Sequence, residues 1–363
     1  MNEKITNLAA LILVSAAVSA TAGDGLLNFP GTEYPLTLQF SAQRAQEEGV
    51  FETPLSAAPE EAYNTLLIQG KMPAGLVLEV LVKSQARPGD FESVPLVASK
   101  RFRSDRFWAK YRLERRARHQ VKLRAVNRGS GNRLVIYEVK LVKKEEPEWS
   151  DKTAPPEIYV PGPEPLKFPF KITLREDWHA AAPGHAFIAD TPRLATLHHT
   201  AGNYPADYKE AAEEIGFIQD YHQSGEDIDI GYHFLISPQG DIFEGRPLGT
   251  LGAHSSKRNT GNVGISVMGN YQKESAARPV TPEALAAIAA IGKYLRENYA
   301  VSISSFYGHR DINQTLCPGA VLYSKMPEIK NLISPPAAPV TWTPVAPGPT
   351  PFFLPAPAEI HFN

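Results

Sequence analysis

The hydrophobic periodicity of this chain changes character across one proline-rich stretch, and that change sets the limits on its architecture. From residue 23 to about 148 the apolar residues fall in short alternating runs: Thr65 to Gln69, Leu76 to Lys83, Phe107 to Leu113, Gln120 to Val126 and Leu134 to Val142. The last reads Leu-Val-Ile-Tyr-Glu-Val-Lys-Leu-Val, with period two for most of its length. Such alternation sends side chains to opposite faces of a strand. Hairpin-type connectors separate the runs, as in Arg128-Gly129-Ser130-Gly131-Asn132. With no long helical pattern among them, these runs predict an all-β, sandwich-like domain over residues 23–148.

Beyond residue 172 both periods occur. Leu194 to His198, Tyr232 to Ile236 and Val263 to Met268 read as buried strands, and Gly240-Asp241 as a turn into Ile242-Phe243. Between them, Ala211, Ala212, Ile215, Ile218 and Tyr221 mark an amphipathic helix over Tyr208 to His222. Thr281-Pro282-Glu283 supplies an N-cap, a first-turn proline and an acid, opening a second helix with Leu285, Ile288, Ile291 and Leu295. This alternation predicts a three-layer α/β domain around a central mixed sheet over 172–333. Seven prolines between Pro147 and Pro169 make residues 149–171 a semi-extended linker, and a second proline-rich run makes 334–363 a tail.

The total of 363 residues suits two domains at about 150 residues each. A formal net charge of -2 excludes a polycation built for nucleic acid. Lys4, the apolar Leu8 to Ala17 and the small residues Ala20-Thr21-Ala22 form a signal-peptide pattern over residues 1–22, with cleavage expected after Ala22. The alternative is an N-terminal anchor, for which the segment is short. The expected location is secreted or periplasmic, with no transmembrane span after cleavage.

One segment of the β domain is strongly basic. Ten Lys or Arg lie between Arg101 and Arg124 against Asp105 and Glu114, interleaved with Phe102, Phe107, Trp108 and Tyr111. Either this surface docks on an anionic envelope polymer, or it is a solvated strand face whose alternate residues are core aromatics.

Cys317 is the only cysteine, so no intrachain disulfide and no Cys-rich zinc finger can form. It is a buried thiol, a metal ligand or a nucleophile. Eight of the ten histidines lie between His179 and His309. His309 and Cys317 flank a short loop that could bring both side chains to one ion, and His198, at a strand end, is placed to be a third donor. Two His, one Cys and a water make a catalytic zinc set. His199 alternates to the opposite side of the strand.

These residues sit in six ordered motifs: Leu197-His198-His199-Thr200-Ala201, Asp229-Ile230-Gly231-Tyr232-His233-Phe234-Leu235-Ile236, Ile242-Phe243-Glu244-Gly245-Arg246, Gly252-Ala253-His254, Asn262-Val263-Gly264-Ile265-Ser266, and Gly308-His309-Arg310-Asp311 through Cys317-Pro318-Gly319. Together they resemble the zinc-dependent N-acetylmuramoyl-L-alanine amidases shared by phage T7 lysozyme and the peptidoglycan recognition proteins. Arg175-Glu176-Asp177-Trp178 resembles the opening of the recognition-protein branch. The resemblance leaves residues 23–150 uncovered.

It implies zinc held by His198, His309 and Cys317, a catalytic Tyr232, and hydrolysis of the bond between N-acetylmuramic acid and the L-alanine of the stem peptide. Its expected partner is peptidoglycan (muropeptides), with no nucleic acid; the N-terminal domain, outside the resemblance, is read either as docking on the envelope, as meeting a protein partner or as a fused scaffold. Where the phage enzyme has a catalytic lysine, two residues before the cysteine, this chain has Thr315, which donates a hydrogen bond but no charge. His254, in a loop, resembles a groove residue contacting substrate. His199 is carried as a second substrate-side candidate, and His233 as a packed residue behind the site. Asn262 and Asn270 are further possible substrate hydrogen-bonders, and Glu244 with Arg246 an expected structural ion pair. A non-catalytic recognition module is the alternative, although such members typically lack the cysteine. No His-Glu-x-x-His helix is present to support a different zinc peptidase.

Overall fold

The structure is a computed structural model, and it describes residues 25–40, 49–84, 89–129, 133–142, 158–160, 166–225, 227–272 and 278–334. The signal-peptide expectation for 1–22, most of the linker and the proline-rich tail beyond Ser334 lie outside the described residues.

The N-terminal region folds into two antiparallel sheets. β1 (Leu36–Gln39), β3 (Tyr63–Lys71), β6 (Leu96–Arg101), β7 (Arg106–Ala117) and β9 (Arg133–Leu141) form one sheet in the order β1-β9-β3-β7-β6. β2 (Gly49–Glu52), β4 (Leu76–Lys83), β5 (Phe91–Ser93) and β8 (Val121–Asn127) form the other, in the order β2-β8-β4-β5. The inward residues of both, among them Leu66, Ile68, Leu78, Val80, Phe107, Leu123 and Ile136, share one core. The five runs read as strands are all strands. The short β1, β2, β5 and β6 are additions, since three to six residues carry too little pattern to be seen in sequence.

In the C-terminal region β10 (Leu194–His199), β11 (Phe234–Ile236), β12 (Ile242–Glu244), β13 (Asn262–Val267) and β14 (Phe306–Gly308) form a mixed sheet, ordered β12-β11-β13-β10-β14. Only the β11–β12 hairpin is antiparallel. α1 (Tyr208–Ser224) covers one face, with Ile215 and Ile218 against Leu235, Phe243 and Met268. α2 (Pro282–Tyr299) and α4 (Met326–Ile333) cover the other, against Leu197, Ile236, Ile265 and Val267. A short α3 (Ala320–Tyr323) precedes α4. The expected Thr281 cap is in place, accepting from the Ala284 N–H, and Asp207, which the sequence reading did not single out, caps α1 by accepting from the Glu210 N–H.

The described part of the expected linker is bound to this domain. Tyr159 N–H donates to the Phe187 carbonyl, and Phe168 and Phe170 lie 5.0 Å and 6.0 Å from the Tyr294 ring. Among the described residues no helix is long and apolar enough to cross a membrane.

The two regions share a buried contact. β3 is buried along nearly all of both faces, and Leu67 and Trp108 belong to the same apolar cluster as Ile215, Phe217 and Tyr221 of α1. Arg106 lies at its centre, 1% exposed, with Nε and Nη2 donating to both Glu214 oxygens at 2.8 Å and 2.9 Å. Its other donors reach the Gly70 carbonyl and Gln69 Oε1, and Phe217 stacks 3.6 Å beneath the guanidinium. Part of the basic segment is thereby spent inside the molecule. Arg106, Trp108 and Lys110 face α1, and Phe102 packs on Phe217, while Arg101, Arg103, Arg112, Arg115, Arg116 and Arg118 are exposed.

Glu214→Ala leaves the Arg106 charge buried with no carboxylate. Removing one partner of such a pair costs about 3–5 kcal/mol. The expected result is an unfolding free energy lowered by that amount, read from urea titration as a lower midpoint at unchanged m.

Candidate metal centre

The parallel pairing of β10 with β13 and β14 places His198 next to the start of the loop that follows β14. That loop returns on itself: Arg310 N–H donates to the Cys317 carbonyl at 3.0 Å, holding Cys317 beside His309. The donor atoms of His198, His309 and Cys317 all lie within 4.8 Å of one another. Cys317 Sγ is 3.5 Å from His198 Nδ1, and the His198 and His309 rings are 4.4 Å apart.

No metal is part of the structure, so fit is judged on the donors. Burial pushes the His309 imidazole down to about 4 and holds His198 well below its ordinary value, with the neighbouring histidines adding to the effect. Both rings are therefore neutral at pH 7, the form that ligates zinc. Both His309 nitrogens are buried with no well-formed hydrogen bond, although the Asn313 side chain is near enough to offset part of the effect of burial. Buried polar atoms without partners are rare, and an ion at this position would satisfy one of them. A soft thiolate with two imidazoles suits zinc.

His254 defines the orientation of His198. His254 Nε2 faces the Asn262 carbonyl at 3.0 Å, so that nitrogen carries the proton. Its Nδ1 is then an acceptor, 3.0 Å from His198 Nε2. His198 donates there, and its Nδ1 lone pair is left pointing towards Cys317. Two glycines make room for the His254 ring: a Cβ on Gly252 or Gly264 would sit 2.5 Å or 2.6 Å from its Cδ2.

Tyr232 is half-buried beside this cluster, its ring 5.2 Å from that of His198. It precedes β11 rather than lying within it, because Tyr232 turns with Gly231, which approaches the Ala253 carbonyl too closely for any side chain. Thr315 Oγ1 accepts from the Cys317 N–H at 3.0 Å, so this hydroxyl shapes the loop that carries the thiol. His199 turns to the other face of β10, where Nδ1 accepts from the Tyr271 N–H and Nε2 meets Gln272. His233 bridges Thr250 and Gly264 in the core, as alternation predicts.

Other expectations are corrected. Glu244 and Arg246 form no ion pair. Arg246 donates to the Ile230 and Leu251 carbonyls, Glu244 accepts from the Arg175 N–H, and the ion pair here joins Arg175 to Asp229 at 2.7 Å. Asn262, 1% exposed, spends its amide on Thr196 and Arg258. By contrast, Asn270 stays a proposed substrate contact through its amide nitrogen, while its Oδ1 accepts from the Gln272 N–H. One residue escaped the sequence reading: His222, whose Nδ1 accepts from the Gly231 N–H at 3.1 Å and whose ring lies 5.8 Å from Tyr232. Its only sequence signal is its place on the sheet-facing side of α1, in step with Ala211, Ile215 and Ile218.

Burial depresses His199 to about 3 and His233 to about 4. Unfolded, each titrates near 6.5. Below that pH the unfolded chain binds more protons, so stability is complete above 6.5 and is lost as pH falls towards 4. The loss is at most about 1.4 kcal/mol per histidine per pH unit. Denaturant midpoints measured from pH 7.5 to 5 are expected to fall monotonically.

A peptidoglycan-directed amidase fold is the class these elements and donors define. The family profile for N-acetylmuramoyl-L-alanine amidase (Amidase_2) matches residues 189–320. Peptidoglycan-recognition protein SC2 of Drosophila melanogaster is 31% identical over 157 residues, 43% of this chain and 84% of the relative. Peptidoglycan recognition protein 1 of Bos taurus is 41% identical over 162 residues, 42% of this chain and 80% of the relative. Among solved structures, N-acetylmuramoyl-L-alanine amidase LysC from Clostridium intestinale is 26% identical, covering 44% of this chain and 95% of its own, with a TM-score of 0.37. The chain belongs to the type 2 amidase and peptidoglycan recognition protein family. Its function is related to peptidoglycan.

Proposed function

We propose that this protein is a secreted or periplasmic zinc amidase that hydrolyses the bond between N-acetylmuramic acid and the L-alanine of the stem peptide. The observation that carries this reading is the convergence of His198, His309 and Cys317 within 4.8 Å, with both His309 nitrogens buried and without a well-formed hydrogen bond. Zinc bound there supplies a Lewis acid for the amide carbonyl and lowers the pKa of water towards about 7. Tyr232 presents a phenol to the same space, where its O–H stabilises the oxyanion that develops on the scissile carbonyl. Thr315 holds the Cys317 backbone, and any hydrogen bond it gives the substrate carries no charge. His254 keeps His198 in the tautomer that leaves Nδ1 available, and this half-buried residue remains a proposed substrate contact; His199 supports the far side of β10 and is the weaker candidate for one. Docking on an anionic envelope falls to the exposed arginines of β7 and its flanks, from Arg101 to Arg118.

Digestion of purified sacculi, with and without a chelator and read by mass spectrometry, tests the reading. The expected products are free stem peptides beginning at L-alanine, formed only with zinc. The names of the relatives favour one rival, a module that binds peptidoglycan uncut; zinc-loaded protein that co-sediments with intact sacculi would establish it.

His254→Gln removes the acceptor that orients His198. Loss of such a supporting partner costs about 10–100-fold in metal affinity. Competition with a chromogenic chelator is expected to show a fall of that size, with the fold intact.

A further inference from the structure

From these contacts we infer that the N-terminal β domain is a positioning element of the active site, acting through α1, rather than a tethered accessory. One face of α1 is devoted to it. Glu214, Phe217, Tyr221 and Ser224 recur at helical spacing, and each meets the β1-β9-β3-β7-β6 sheet. Glu214 takes Arg106, and Phe217 stacks under the same guanidinium. The Tyr221 hydroxyl donates to Glu138 Oε1. Lys110 Nζ donates to the Ser224 carbonyl at 3.0 Å, at the C-terminal end where orphan carbonyls need partners. Beside this face, Trp108 Nε1 donates to Asp220 at 2.6 Å.

The adjoining face of α1 leads to the site. His222 follows Tyr221 directly, and its Nδ1 holds the Gly231 N–H. Gly231 sets the place of Tyr232, whose ring lies between those of His222 and His198. The path from Arg106 to Tyr232 is thus a continuous series of hydrogen bonds and packed rings through one rigid helix. The three proposed zinc donors are carried by β10 and by the loop after β14, and they meet this path where the Tyr232 ring lies against that of His198. A shift of α1 therefore acts on Tyr232 directly and on the metal donors only through it.

The inference uses the proposed amidase activity only for its kinetic readout. The test employs full-length R106M and the milder K110A/Y221F, which leaves the central ion pair untouched. Three quantities are read: kcat on muropeptide, zinc affinity by chelator competition, and hydrogen exchange of the Gly231–Phe234 amides. The expected result is a loss of about tenfold or more in kcat for R106M, a smaller loss for K110A/Y221F, faster exchange at Gly231 in both, and zinc affinity within about threefold of the parent, well below the effect of a lost metal-supporting partner. Adding E214L to R106M removes both charges, and it is expected to regain most of the kcat. If R106M fails to fold, K110A/Y221F decides between the same outcomes. Parental kcat together with parental exchange at Gly231 in folded variants overturns the inference, as does a proportional fall of zinc affinity and kcat. If the parent itself releases no stem peptide, the amidase reading fails, while faster exchange at Gly231 in the variants still upholds the positioning role.

Discussion

Cys317→Ala is expected to lose both bound zinc and hydrolysis. The side chain is 9% exposed and small, so its truncation removes little packing, about 1 kcal/mol. The fold should persist, with an unfolding transition within a few degrees of the parent, as that cost implies for a chain this size. What disappears is the one thiolate among three donors. Two neutral imidazoles remain, and the apparent zinc affinity falls with the missing anionic ligand. Turnover on sacculi should fall by on the order of 10³-fold or more, the scale of losing the group that acidifies water. Cys317→Ser sharpens the test, because a hydroxyl of similar size is not ionised at neutral pH and is a poorer zinc ligand. Wild-type release of stem peptides by either variant would falsify the proposed mechanism outright.

Tyr232→Phe should separate chemistry from metal binding. The substitution keeps the ring that sits 5.2 Å from His198 and removes only the hydroxyl. Removing one oxyanion donor typically costs about 10²–10³ in kcat, or about 2.7–4 kcal/mol. Thr315 supplies no charge where the phage enzyme has a lysine, so the loss should lie at the upper end of that range. Zinc content, KM and thermal stability are expected to stay close to the parent. A kcat reduced by less than about threefold would remove Tyr232 from the chemistry and shift the burden to the metal and the loop around Thr315.

Much of this molecule is readable from local pattern. Period-two runs located the strands that became β3, β4, β7, β8 and β9, and the Thr281-Pro282 cap marked the start of α2 to the residue. Such features are set by backbone geometry and by neighbours within a few positions. The donor set was legible for a different reason: His198, His309 and Cys317 stand in motifs whose order identifies the family. Spacing alone left Cys317 open between thiol, ligand and nucleophile.

The roles around the donors were not legible in the same way. His254 reads as a loop residue, yet Gly252 and Gly264 open a slot that swings its ring against His198. The Glu244–Arg246 pair looked natural at short separation, but strand pairing points Arg246 at two carbonyls instead. His222 carried no motif, because its partner is a backbone N–H.

What the sequence determined by itself is the longer strands and helices, the change from period-two to mixed patterning, and the order of the family motifs. Only the tertiary structure decided how the two regions meet. Arg106 and Glu214 are 108 residues apart, and each looks like an ordinary charge on a solvated face. Burying both is tolerable because the pairing is bidentate and two further donors of the guanidinium find acceptors, in Gly70 and Gln69. No local rule can announce such a partnership, since its cost and its compensation exist only after the sheet and the helix have come together. The one trace in the sequence is the unbroken apolar run Leu66-Leu67-Ile68, where alternation fails because both faces of β3 are covered.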